Sequence, residues 1–229
     1  MEKYNCKTIV FSSSATVYKA NSCKLLKEDD ICEPVNPYGN TKLIIEKILG
    51  ELYSKKYSNW RIACLRYFNP VGAHHSGLIG EDPSGIPNNI FPKITKVAIG
   101  KLDEIKIFGS DWPTKDGTGI RDYIHVMDLA EGHLSALNHL LEVSPRILTI
   151  NLGTGKGTSV LELIKTFQSV NGVKIPYRFV NRRLGDNAFV VADISLAKSV
   201  LNWKPRASIE DICRDGWNWQ LNNPNGYES

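Results

Sequence analysis

The 229 residues contain no apolar run of membrane-spanning length, no N-x-[ST] sequon and no C-x-x-C pair. These absences argue against a helical membrane anchor, a glycosylated surface loop and the common zinc and thiol-redox frameworks. The N-terminal stretch is too polar for a signal peptide. Cysteine is scarce and odd in number: Cys6, Cys23, Cys32, Cys64 and Cys213 suit reduced thiols in a cytoplasm better than a disulfide framework. Positive charge is not concentrated either. The net charge is +4, and no basic stripe with interleaved aromatics is present, so neither nucleic acid nor membrane is an expected partner. Five histidines, His74-His75 among them, show no H-E-x-x-H or other ligand spacing, and no metal is expected. Repeats, low-complexity tracts and obvious linkers are absent.

Two phosphate-binding signatures are missing as well. The only glycine cluster, Gly153-Thr154-Gly155-Lys156-Gly157-Thr158, is neither G-x-G-x-x-G nor G-x-x-x-x-G-K-[ST]. It reads better as a tight strand-to-helix turn feeding a cap at Ser159 than as a phosphate cradle.

What is present is an alternation of strand and helix signals. Thr8-Ile9-Val10-Phe11 reads as a buried strand. A polar loop leads to Asn36-Pro37, an N-cap followed by proline at the first helical position. Leu43, Ile44, Ile48 and Leu52 recur at helical spacing, and the pattern fades near Tyr57-Ser58-Asn59. Ile62-Ala63-Cys64-Leu65 opens a second buried strand that runs to Asn69-Pro70. Strand, helix and strand form a βαβ unit and hence part of a parallel sheet.

Residues 72–89, rich in Gly, Pro, His and Asn, read as a long surface loop. Beyond it the pattern predicts a helix near 90–100, a strand at Ile105–Phe108, and a loop carrying Gly109, Pro113, Gly117 and Gly119. A helix follows over 127–141 (Leu129, Leu134, Leu137, Leu141), then a strand at Ile147–Leu152. Ser159 and Glu162 match a capping box that opens a helix to about Val170. A short strand near Tyr177–Val180, a small helix at 195–202 and an amphipathic helix from Ser208 to about Leu221 complete the chain. The class is α/β.

One constellation carries chemistry. Tyr38 and Lys42 are i and i+4 on the first helix, so they share one face. An ammonium beside a phenol favours the phenolate, whose unperturbed pKa is about 10. Ser14 lies just past the first apolar run, near the carboxyl end of a strand, where parallel sheets place their sites. Y-x-x-x-K alone describes an exposed helix start equally well.

The wider text decides between them. Phe11-Ser-Ser-Ser-Ala-Thr-Val-Tyr18, Pro37-Tyr-Gly-Asn-Thr-Lys42, Leu65-Arg-Tyr-Phe-Asn-Pro-Val-Gly-Ala73 and Gly80-Glu-Asp-Pro resemble the UDP-galactose (UDP-glucose) 4-epimerases of the extended short-chain dehydrogenase family. So do Gly85-Ile-Pro-Asn-Asn89, Asp116-Gly-Thr-Gly-Ile-Arg-Asp-Tyr-Ile-His-Val-Met-Asp128 and Arg182-Arg-Leu-Gly-Asp186. The resemblance runs the length of the chain, to Trp217-Asn-Trp219 and Asn-Pro-Asn-Gly-Tyr227.

This resemblance implies an incomplete Rossmann-type parallel sheet, its last strands only, plus a smaller mixed α/β substrate-binding domain. Residues 1–70, with returning segments near 120–155, would complete the NAD-binding domain, and 71–229 would form most of the UDP-sugar-binding domain. Tyr38 would be the base at the sugar 4-hydroxyl, Lys42 would hold the nicotinamide ribose, Ser14 would bridge to the 4-oxygen, and Phe68 would touch the cofactor, NAD. The substrate contacts implied are Ser14, Ala15, Thr16, Tyr67, Phe68, Asn69, Asn88, Asn89 and Ile90, then Lys106, Ile107 and Phe108 along the uracil. Arg121, Arg183 and Asp186 would hold the diphosphate and ribose, which suits guanidinium forks and a carboxylate. Val190 stands where relatives restricted to UDP-glucose and UDP-galactose carry tyrosine, which leaves room for UDP-N-acetylhexosamines unless neighbouring Phe189 swings in and fills the gap.

Two departures matter. Ala15 and Thr16 replace the acidic pair by which related 4,6-dehydratases eliminate water, so dehydration is not expected. The family's G-x-x-G-x-x-G turn has no counterpart, and the chain starts at what resembles the fifth strand. The expectations that follow are weak NAD binding, an uncovered strand edge, loss of one of the two helices of the family homodimer, and completion by a separate N-terminal chain or a longer gene product. The alternative is an inactive remnant that binds UDP-sugars only.

Overall fold

The computed structural model describes residues 1–19, 24–55, 59–85, 87–183 and 185–227. Its strands are β1 (Thr8–Ser14), β2 (Arg61–Tyr67), β3 (Asn69–Val71), β4 (Ile105–Phe108), β5 (Ile120–Arg121), β6 (Tyr123–His125), β7 (Ile147–Leu152), β8 (Thr158–Ser159), β9 (Tyr177–Val180) and β10 (Phe189–Val190). Its α-helices are α1 (Pro37–Ser54), α2 (Ile90–Ala98), α3 (Val126–Glu142), α4 (Val160–Asn171), α5 (Ser195–Leu201) and α6 (Ile209–Asn222). Tyr57 and Ser58, where the first helical pattern fades, lie outside the described residues.

β1, β2 and β7 form a parallel sheet in that order, the βαβ geometry expected. The register pairs Thr8 with Arg61 and Ser14 with Tyr67, and then Ile62 with Ile147 and Tyr67 with Leu152. All three strands therefore end in one row, which brings Ser14, Tyr67 and Leu152 to a common carboxyl edge. β2 lies between two layers and is buried from Ile62 to Arg66. On one side Leu49 of α1 packs with Trp60, Ile62 and Cys64. On the other, α3 and α5 pack through Leu129, Ala136, Leu140, Ala197 and Leu201 onto Ala63, Leu65 and Ile150.

β1 corrects one expectation. Thr8 to Phe11 are half-buried rather than buried, because β1 is the sheet's edge and pairs only with β2 among the described residues. The helices themselves form where the periodicity places them, but much of that periodic surface faces outward. Ile44 and Ile48 of α1 and Leu134 and Leu141 of α3 are more than half exposed. The sheet receives α3 through Leu129, Gly132, Ala136 and Leu140.

A second core joins α2, α4 and α6 to β4 and β6 around Phe91, Ile94, Ile107, Ile164 and Phe167. Both capping boxes of this unit are formed, Ser159 with Glu162 on α4 and Ser208 with Asp211 on α6. The strands β5, β6, β8 and β10 carry no sequence signal, since two or three residues are too few for a period-2 pattern. Residues 72–89 contain no helix or strand among the described residues, yet they are tied to the end of the chain. Tyr227 Oη accepts from Gly80 N at 2.8 Å and Asp82 accepts from Tyr227 N at 3.0 Å. No helix of the described residues is long and apolar enough to cross a membrane. Cys6, Cys32, Cys64 and Cys213 are free thiols, and Cys23 lies outside the described residues.

The glycine cluster is a turn, and its amides have an internal partner. The fully buried Asp122 carboxylate accepts from Thr154 N (2.7 Å), Thr154 Oγ1 (2.7 Å), Gly155 N (3.0 Å) and Ala192 N (3.2 Å). Gly153 passes so close to Asp122 that a Cβ would lie 2.6 Å from Oδ2. Asp122→Asn replaces one accepting oxygen by an NH2 facing these donors. It is expected to destabilise the fold by about 2–4 kcal/mol, read as a lowered urea midpoint.

Candidate active site

Ser14 ends β1 and caps a one-turn 3-10 helix, Ala15–Val17, accepting from Thr16 N at 3.2 Å and from Thr16 Oγ1 at 3.0 Å. Both bonds use the oxygen's lone pairs, so the Ser14 hydroxyl proton remains available to a further acceptor. α1 starts opposite, because Asn36 Oδ1 accepts from Gly39 N at 2.8 Å and Pro37 occupies the first helical position. Gly39 is required there: a Cβ would lie 2.4 Å from the Thr16 carbonyl oxygen. This contact brings the helix start against the turn that follows Ser14.

On α1, Lys42 Nζ donates to Ser12 O at 2.9 Å and lies 5.4 Å from the Tyr38 ring centroid and 5.3 Å from that of Phe11. The Tyr38 side of this pair is open, with the residue 56% exposed. Beside it Tyr67 Oη donates to Ser12 Oγ at 2.6 Å and also meets His133 Nε2.

Two cavities open next to this set. One, of about 180 Å³, is lined by Ser14, Ala15, Thr16, Tyr67, Phe68 and Val190, with Asn69, Arg121 and Asp186 at its inner end. The second, of about 170 Å³, shares those three residues and continues along Asn88, Asn89, Ile90, Lys106, Ile107, Phe108 and Arg183. Of the residues singled out in the sequence, Tyr38 and Lys42 alone line neither cavity; they stand on the flank, towards solvent. Strand alternation sorts the β4 residues: Lys106 is exposed, while the Ile107 side chain belongs to the core. A larger cavity of about 290 Å³ between α2 and the C-terminal segment, lined by Glu81, Lys96 and Trp219, contains none of these residues.

Comparison with known proteins bears on this arrangement. The sequence profile of the GDP-mannose 4,6 dehydratase family matches residues 1–216. The UDP-glucose 4-epimerase of Bacillus subtilis (strain 168) is 54% identical over all 229 residues. The chain belongs to the UDP-glucose 4-epimerase family. The bifunctional UDP-glucose 4-epimerase and UDP-xylose 4-epimerase 3 of Arabidopsis thaliana is 51% identical over the full chain. Among solved structures, the UDP-glucose 4-epimerase of Stenotrophomonas maltophila, with bound NAD and formylated UDP-arabinopyranose, superposes with a TM-score of 0.95 at 49% identity over 98% of this chain. That of Bifidobacterium longum, in complex with NAD+ and UDP, gives 0.93 at 48% identity over 99%. The chain spans 67% and 65% of the two curated relatives and 66% and 67% of the two structures. Rossmann-type architecture follows from these neighbours and from the parallel sheet.

The electrostatics of the second cavity go beyond the sequence reading of this epimerase-family chain. Arg121 is held by Ile120 O and Asn187 O, both at 2.8 Å, and faces Asp186 at 3.9 Å. Arg183 stacks on Phe108 with its Cζ 3.7 Å from the ring centroid. Lys93 and Trp112 also line the cavity and were not singled out from the sequence. Lys93 sits at the fourth position of α2, and only tertiary structure shows which way it faces. Burial, with Arg183 and Lys106 nearby, holds the Lys93 ammonium below the usual lysine range. None of Lys93, Lys106 and Arg183 has an acidic partner within ion-pair distance among the described residues, so the wall carries an unneutralised positive charge. A polyanion is the ligand such a wall attracts. Inorganic pyrophosphate should bind the 229-residue chain with salt-sensitive affinity, and Lys93→Met should weaken it about tenfold by calorimetry.

Proposed function

We propose that these residues form the tyrosine-bearing and sugar-nucleotide-binding part of a UDP-glucose/UDP-galactose 4-epimerase. One observation carries the reading: the cavity beside Ser14 meets the cation-lined cavity at Asn69, Arg121 and Asp186. A sugar nucleotide has the same bipartite form, a neutral ring joined to a dianionic diphosphate and a base. In this reading Arg121, Arg183 and Lys106 receive the diphosphate and uracil end, and Asp186 takes the ribose hydroxyls. The hexose then lies beside Ser14, within reach of α1.

Within that pose Ser14 donates its free proton to the sugar 4-oxygen, and Tyr38 removes the 4-hydroxyl proton and later returns it. Lys42 stands over the Tyr38 ring and is held there by Ser12 O. NAD, when bound, supplies the acceptor and donor of the hydride at carbon 4. Its nicotinamide end fits Ser14, Tyr38, Lys42 and Phe68. Its pyrophosphate end does not fit the glycine cluster of the described residues, because the Thr154 and Gly155 amides are bonded to Asp122.

The same disagreement favours a second reading, a chain that binds UDP-sugars without turning them over by itself. In the first reading turnover needs the remaining third of the relatives' length, as a longer gene product or a separate N-terminal chain. The edge of β1, unpaired on its outer side among the described residues, and the exposed Leu134 and Leu141 suit such a segment, and the exposed Ile44 and Ile48 suit a second copy in a homodimer. We assign residues 1–70 and the returning 120–155 to the cofactor-binding unit and 71–229 mostly to the substrate unit, and place the protein in the cytoplasm.

Calorimetry on the 229-residue chain should show UDP binding and NAD binding weaker than micromolar. In the completed enzyme Tyr38→Phe should lower turnover by about a hundredfold or more. Near wild-type turnover of that variant would overturn the assignment.

Val190 lines the sugar cavity and pairs with Arg121 in the β5–β10 register. Its neighbour Phe189 projects to the opposite face, where it lies near Gly157, so the aromatic ring does not fill the space beside the sugar. The completed enzyme should therefore accept UDP-N-acetylgalactosamine as well as UDP-galactose, and Val190→Tyr should reject the former selectively. Equal rejection by both proteins would place the gate elsewhere.

A further inference from the structure

α1 carries a third polar residue on the face that bears Tyr38 and Lys42. Glu46 follows Lys42 by one helical turn, so the three residues stand at i, i+4 and i+8. Unlike the other two, Glu46 is enclosed. Arg66 of β2 forks it, Nε to Oε1 at 3.0 Å and Nη2 to Oε2 at 2.7 Å, with side chains 6% and 9% exposed for Arg66 and Glu46. The buried Ser13 of β1, next to Ser14 in the chain, donates to the same Oε1. Arg66 is itself held from behind. Its Nη1 donates to Glu28 O at 3.0 Å, and its guanidinium lies 4.8 Å from the Tyr18 ring centroid. Tyr18 in turn donates to Asn151 Oδ1 of β7 at 2.6 Å.

This carboxylate thus connects the helix to two adjacent strands within one residue of Ser14. Apolar packing shares that work through buried Leu49 and half-buried Leu43, Leu52 and Tyr53. Apolar contact is non-directional, whereas a two-point fork fixes both rotation and translation of the helix. Stability is a poor explanation for the pair, because a buried ion pair usually returns no more than its desolvation costs. We propose that Glu46, forked by Arg66 and bonded by Ser13, is a positioning residue that sets where Tyr38 and Lys42 stand relative to Ser14. The proposal rests on the reading of Tyr38 as the base.

The test separates position from stability. Glu46→Met combined with Arg66→Met removes both charges together and should leave the urea midpoint at or near that of the parent. In the completed, NAD-loaded enzyme this double variant should lower kcat tenfold or more with KM for UDP-galactose within about twofold, since misplacement of a catalytic group is costly while the diphosphate wall is untouched. In the 229-residue chain, without cofactor, it should speed amide exchange at 38–46 while protection of β2 and β7 is kept. Ser13→Ala, a smaller change, should lower kcat severalfold with an unchanged midpoint. Wild-type kcat in a stable double variant, or unchanged exchange at 38–46, overturns the clamp. If Tyr38→Phe keeps full turnover, the underlying reading falls instead; if it abolishes turnover while the Glu46 and Arg66 variants remain fast, the clamp alone is wrong.

Discussion

One residue, Asp122, joins the chain segments that make the floor of the site. Its carboxylate takes the turn amides of Thr154 and Gly155 and the amide of Ala192. Its own backbone N–H donates to Val190 O at 3.1 Å, and its carbonyl accepts from Asn69 N at 2.9 Å. A buried carboxylate with fewer donors would be costly to desolvate, so these partners are obligatory rather than decorative. The consequence is positional. Asn69, Arg121 and Val190 come from distant parts of the sequence, and each is either bonded to Asp122 or next to it in the chain.

The site has two kinds of surface, held by different forces. The cation-lined cavity rests on the well-packed α2–α4–α6 core, where Phe91, Phe167 and Trp217 stack edge to face. Its charges need no catalytic precision, only a fixed wall facing an anion. The Tyr38 flank has the reverse character. α1 lies on an open sheet with few buried apolar residues, and its placement depends on directional bonds to Ser12, Ser13 and Arg66. A binding wall tolerates small shifts, while proton transfer requires contact at hydrogen-bond distance.

Exposed apolar residues of α1 and α3 accompany a half-buried β1. A three-stranded sheet is a narrow platform, and it leaves uncovered whatever apolar surface extends past its edge strand. Relatives of this chain are half as long again.

Local chemistry in the sequence determined the elements that are long or explicitly capped. Asn36-Pro37 started α1, the Ser159–Glu162 box started α4, and the apolar runs at 62–65 and 147–152 became parallel neighbours. The motif blocks likewise contain Ser14, Tyr67, Phe68, Asn69, Arg121, Arg183 and Asp186, which line the two cavities. Tertiary structure decided the rest. Strands of two or three residues have no periodicity to read, so β5, β6, β8 and β10 exist only through partners supplied by distant segments. Periodicity also reports that a helix is amphipathic but not what covers its apolar face, which is why Ile44 and Leu134 lie exposed. Lys93 shows no distinguishing neighbour in the sequence and becomes part of an anion-attracting wall only when α2 packs beside β4 and the segment carrying Arg183. Glu46 and Arg66, twenty residues apart, are ordinary charges in the linear text; the packing of α1 against β2 makes them one buried fork.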